Sequence, residues 1–151
     1  MMIIKKILLV IFSLIILTSC GYDPIYSKKI DLNKLIKNYE LSGDKKINRR
    51  IVSTLNFKEN TSSKYILILD SNKKLEIVSK DKSGNVSVYK TSITVNISLK
   101  NNKKNFKEKI FIKSFTYNSM KNKFNLSQYQ KDVEASLVDD IIDDILIFLN
   151  S

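Results

Sequence analysis

The clearest pattern along the chain is the alternation of Ile93, Val95, Ile97 and Leu99 with Thr94, Asn96, Ser98 and Lys100. A period of two sustained over eight residues predicts a strand with one buried and one polar face. Before it, Asp81-Lys82-Ser83-Gly84-Asn85 carries the residues of a hairpin loop. Tyr65 to Ser79, apolar at both ends and polar from Asp70 to Lys74, is a strand or a strand pair interrupted by a bend. After it, Asn101 to Asn105 forms a second turn, and Phe106 to Tyr117, rich in aromatic and β-branched residues, is a further strand. The three strands make an antiparallel meander.

Helical spacing brackets this meander. Ile47, Ile51 and Leu55 fall four apart with Val52 beside them, and Ser42 or Asp44 is placed to cap a helix from about Asp44 to Asn56. At the far end, Tyr129, Val133, Leu137, Ile141, Ile145 and Leu149 recur every four residues, widened by Val138, Ile142 and Leu146. Ser127 and Gln130 have capping-box spacing, which starts a helix there that runs to about Leu149. The spacing of Leu35, Ile36, Tyr39 and Leu41 decides between neither state.

The N-terminus has a different design. Lys5 and Lys6 precede an apolar run from Ile7 to Leu17, interrupted only by Ser13, the layout of a secretory signal peptide. Eleven residues fall short of the roughly 20 that span a bilayer as a helix. The following Leu17-Thr18-Ser19-Cys20 matches the lipobox of bacterial lipoproteins, so residues 1–19 are expected to be removed and Cys20 to carry diacylglycerol on sulfur and usually an N-acyl chain. Two or three acyl chains on one residue make release from a membrane slow. Residues 20–33, with the only proline, Pro24, follow as a lipidated stalk, and residues 34–151 as one domain. Gly21, where an Asp would favour retention in the inner membrane, points to the inner, periplasmic leaflet of the outer membrane.

Charge is segregated. From Cys20 to Asn125 there are 23 Lys and Arg against 9 Asp and Glu, a net +14, whereas Leu126 to Ser151 holds only Lys131 against six acids, a net −5. A basic body concentrates polyanions such as phosphorylated lipid, polysaccharide or nucleic acid, and export disfavours nucleic acid. Because 24 of the 26 basic residues are Lys, in a chain rich in Asn and Ile, the lysines also read as solubilising surface. Asp139, Asp140, Asp143 and Asp144 oppose the negative end of their helix and repel one another, so basic groups are expected beside them, supplied by the body or by a partner.

With no His, no Trp and its single Cys committed to lipid, the chain has no imidazole or thiol for catalysis. Three glycines, at 21, 43 and 84, make no phosphate loop. The four-Asp cluster is a solvated helix face, since neighbours on one helix do not form the oxygen cage a metal needs. Neither an enzyme, a metal site nor a cofactor is expected.

The opening Cys20-Gly21-Tyr22-Asp23-Pro24-Ile25-Tyr26 resembles the Cys-Gly-Phe-x-Pro-Leu-Tyr start of the LPS-assembly lipoprotein LptE family, especially its alphaproteobacterial branch. Ser114-Phe115-Thr116-Tyr117-Asn118, Leu126 to Tyr129 and the helix to Leu149 resemble that family's last strand and terminal helix. The resemblance makes Lys34 to Leu41 a strand. It implies an α+β domain with a four-stranded, mainly antiparallel sheet packed on one face by two helices, in the order strand, helix, three strands, helix. It further implies a plug in the lumen of the outer-membrane barrel LptD, assisting barrel assembly and passing lipopolysaccharide to the cell surface. Lys73, Lys74, Lys80, Lys82, Lys103 and Lys104 are the candidate lipopolysaccharide contacts. The competing expectation is a lipoprotein adaptor for another envelope partner, without lipid handling.

Overall fold

A computed structural model describes residues 36–101 and 104–150. The expected signal peptide, the lipobox Leu17-Thr18-Ser19, Cys20 and the stalk lie outside the described residues. Four strands and two helices follow in the order β1 (Ile36–Gly43), α1 (Lys45–Thr54), β2 (Tyr65–Lys80), β3 (Val86–Asn101), β4 (Lys104–Asn118) and α2 (Lys123–Asn150). The sheet is ordered β1-β2-β3-β4, with β1 parallel to β2 and the other pairs antiparallel.

The alternation in β3 puts Ile93, Val95, Ile97 and Leu99 against the helices, each at most 1% exposed. Register carries the same face to Leu67 and Leu69 of β2 and Phe111 of β4. Ile47 and Ile51 of α1 and Val138, Ile141, Ile142 and Ile145 of α2 complete the core. α2 runs back along β4, since Tyr129 meets Tyr117 near its start and Phe148 meets Phe111 near its end, both edge to face.

The structure moves two boundaries and decides one open alternative. α2 begins at Lys123, four residues before Ser127, because the Asn122 side chain accepts hydrogen bonds from the Phe124 and Asn125 amides and caps it. β2 is one continuous strand, because its polar stretch Asp70 to Lys74 pairs in register with Asn96 to Ser92. The second turn is shorter than Asn101 to Asn105, since Asn101 and Lys104 already pair across it.

The β1 to α1 corner is set by close approach. Gly43 has φ +81°, and a Cβ there would lie 1.9 Å from the Ser71 carbonyl oxygen. That carbonyl accepts from the Asp44 amide at 2.8 Å. The Asp44 carboxylate then caps α1, accepting from the Lys46 and Ile47 amides. Buried Asn48 and Ser71 close the network: Ser71 Oγ donates to Asn48 Oδ1 at 2.7 Å, and Asn48 Nδ2 to the Ser42 carbonyl at 2.7 Å. Every partner is fixed by the absence of one side chain.

Glu134 ties α2 to α1 and β2. It is 8% exposed on α2, and its carboxylate accepts from Lys46 Nζ of α1 at 2.9 Å and Lys73 Nζ of β2 at 2.8 Å. Burial pushes the Glu134 carboxyl up, but the hydrogen bonds from Lys73 and Lys46 outweigh it and hold the group below its ordinary value. The bond to Glu134 correspondingly raises Lys73 against the opposing effect of burial. A depressed acid stabilises the fold above its unfolded pKa of about 4.3, and this contribution is lost as pH falls through the folded value.

Two measurements test this account. Gly43→Ala should cost about 2 to 4 kcal/mol in urea unfolding, because it adds a backbone clash to left-handed strain. Gly84→Ala, also at positive φ but facing open space, should cost only about 1 kcal/mol. Glu134→Gln should destabilise by about 1 to 2 kcal/mol at pH 7, and the difference from the parent protein should shrink as pH falls below the ordinary carboxylate range and Glu134 takes up its proton; a pH-independent difference would remove the charge from the explanation.

Candidate functional site

The six lysines singled out in the sequence do not form one patch. Lys73 faces the helices and is held by Glu134, whereas Lys74 points to the other side of the sheet and pairs with Glu76 at 2.8 Å. Lys80 closes β2 and Lys82 lies in the β2–β3 turn. Lys104 opens β4 opposite Asn101, at the other end of the sheet, and Lys103 lies outside the described residues. β3 separates the two turns by 16 residues, about 50 Å of strand. A single headgroup does not bridge them.

The turn with Lys80 and Lys82 is firmly built. The Asp81 carboxylate accepts from the Asn85 and Ser83 amides and from Asn85 Nδ2, and the bond from the Asn85 amide is the main reason its pKa lies below the ordinary carboxylate range. The turn ends a hairpin that runs past the N-terminus of α2. Consequently Leu75 and Ile77, on the core-facing side of β2, are 52% and 54% exposed, with Val78 beside them at 54%. Aliphatic side chains at successive strand positions that no helix covers are a surface for something else.

Below this overhang lies an open cradle of about 850 Å³. Leu75, Val86, Tyr89, Met120 and Leu126 supply its apolar wall, and Lys121 and Lys123 stand on its rim. Leu75 and Gln130 are shared with a smaller hollow of about 170 Å³ that continues to Lys73, Lys131 and Glu134. The arrangement is an apolar trough bordered by ammonium groups, with the one carboxylate of its lining, Asp81, turned onto its own loop amides, and it suits an amphiphile with acyl chains and an anionic head. Lys121, Lys123 and Lys131 were not among the sequence candidates. The signal for the cradle was the strand pattern of Leu75 and Ile77 extending beyond the reach of the helical stripe.

Part of the acidic face of α2 is neutralised from within. Arg50 of α1 donates through Nε and Nη2 to Asp139 at 3.0 and 2.7 Å, and Lys113 of β4 reaches Asp144 at 2.8 Å. The expected basic neighbours thus come from the chain's own body. No group of three or more His, Cys, Asp or Glu among the described residues is arranged to hold a metal ion. No helix among them is long and apolar enough to cross a membrane.

Comparison with known proteins adds the family. No curated protein matches the chain in sequence. Several solved structures share its fold. The crystal structure of rare lipoprotein B from Shewanella oneidensis matches with a TM-score of 0.58 and 17% identity, covering 75% of this chain and 93% of that one. A minor lipoprotein from Acinetobacter baumannii matches with a TM-score of 0.55 and 11% identity over 74% and 89% of the two chains. A putative lipoprotein from Caulobacter crescentus gives a TM-score of 0.51 and 14% identity over 72% and 85%. Residues 33–149 match the family described as LptE, Lipopolysaccharide-assembly. A match over that much of the chain, on a fold shared with lipoproteins, establishes that the protein belongs to the LptE family of lipopolysaccharide-assembly lipoproteins.

Proposed function

We propose that this envelope lipoprotein is the plug subunit of a lipopolysaccharide translocon: anchored through acylated Cys20 in the inner leaflet of the outer membrane, it assists assembly of the barrel LptD and hands on lipopolysaccharide, with no catalytic step. The observation that carries the handling role is the lysine-rimmed apolar cradle at the hairpin tip. Its wall offers Leu75, Tyr89, Met120 and Leu126 to acyl chains, while Lys121 and Lys123 meet phosphates or acidic sugars. Burial of acyl methylenes supplies affinity, at about 0.8 kcal/mol each. The ammonium groups favour this lipid over neutral ones. Family membership supports the barrel partner, and the lipobox supports the tether.

Two experiments test the proposal. Purified full chain in detergent should bind lipopolysaccharide, and Lys121→Glu with Lys123→Glu should weaken binding about tenfold while leaving the fold intact. Unchanged affinity would remove the cradle from lipid handling. Pull-down through a C-terminal tag should recover a large outer-membrane barrel, and Cys20→Ala should abolish acyl labelling; recovery of some other envelope protein, with surface glycolipid unchanged on depletion, would favour the adaptor role instead.

A further inference from the structure

A second groove, separate from the cradle and opposite in sign, lies between α2 and the outer edge of the sheet. It has a volume of about 440 Å³ and a floor of Phe115, Tyr129, Val133 and Leu137, with Asp132 and Asp140 on its rim. The Tyr117–Tyr129 contact closes one end and the Lys113–Asp144 ion pair the other. Phe115 is 46% exposed at its edge. In a body of net +14, this apolar trough has an acidic border.

The groove adjoins a free strand edge. β4 is last in the sheet order, and among the described residues no strand pairs with its outer side. Such an edge invites pairing with another chain, and proteins commonly block it with lysine. β4 does so only along its first part, which holds Lys107, Lys109 and Lys113. Lys107 and Lys109 fold over the Phe148 ring, and Lys107 also donates to the Phe148 carbonyl, completing the C-terminal end of α2. The last five residues, Ser114 to Asn118, contain no charge. They are the residues beside the groove.

We infer that Ser114–Asn118 accepts an extended, basic segment of a partner protein as a fifth strand, its alternate side chains entering the Asp132–Asp140 groove. The spacing specifies the sequence. Asp132 and Asp140 are eight helical residues apart, about 12 Å, which matches four residues of strand at about 13 Å. A segment patterned basic-x-apolar-x-basic therefore places one cation at each acid and an apolar side chain over Phe115. Backbone pairing supplies affinity and the two ion pairs supply selectivity. This site takes a cation-bearing peptide, so it goes beyond the anionic-lipid role proposed above and does not depend on the identity of the barrel.

The test uses the full chain in detergent and the capped peptide Thr-Lys-Thr-Ile-Thr-Lys-Thr. Hydrogen exchange should show protection of the amides of 114–118. Affinity should fall at least about tenfold when both peptide lysines become Glu, or when Asp132→Asn and Asp140→Asn are combined. A peptide N-methylated at alternate residues should lose binding altogether, and this arm needs no change to the protein. Equal binding of the N-methylated peptide, protection confined to the cradle, or indifference to the two aspartates would each overturn the inference, and none of them bears on lipopolysaccharide binding.

Discussion

The four-stranded sheet has two faces and three long strands, and among the described residues helices cover only part of one face. β2 and β3 are 16 residues each, about 50 Å long, whereas α2 is 28 residues, about 42 Å, and begins only after β4 has ended. The cover and the covered surface are offset. Where they coincide, Ile93, Val95, Ile97 and Leu99 are sealed against Val138, Ile141 and Ile145. Where they do not, Leu75, Ile77 and Val78 stay in the open. The surface proposed to bind lipid is thus a consequence of unequal element lengths.

Electrostatics divides that surface. Much of the acid on α2 is spent internally: Glu134 on Lys46 and Lys73, Asp139 on Arg50, and Asp144 on Lys113. These pairs fasten α2 to α1, β2 and β4, and they remove lysines from the pool available to an anionic ligand. Lys73 is therefore chiefly a structural cation at neutral pH. Lys121 and Lys123 stand beside the apolar wall of the cradle.

Much of the architecture was legible because short-range patterns decide it. The alternation in β3, the Asp81–Asn85 turn and the four-residue stripe of α2 each report a surface whose covering lies within one element. What escaped depends on distant partners. β1 has a register shift between Ile36 and Asn38, which blurs its period, and its recognition rested on family resemblance. The polar centre of β2 looks like a break until its pairing with β3 is known. Glu134 sits 88 residues from Lys46 and 61 from Lys73, so nothing local marks it as buried. The cradle escaped for the same reason, since an overhang exists only as a difference between two lengths.

Hydrogen exchange of the full chain with and without lipopolysaccharide tests the central claim most directly. The account predicts slowed exchange in 75–90 and 119–126, the two walls of the cradle, with the core amides of 93–99 unchanged. Slowing confined to the opposite end of the sheet, near Lys104, or none at all, would contradict it.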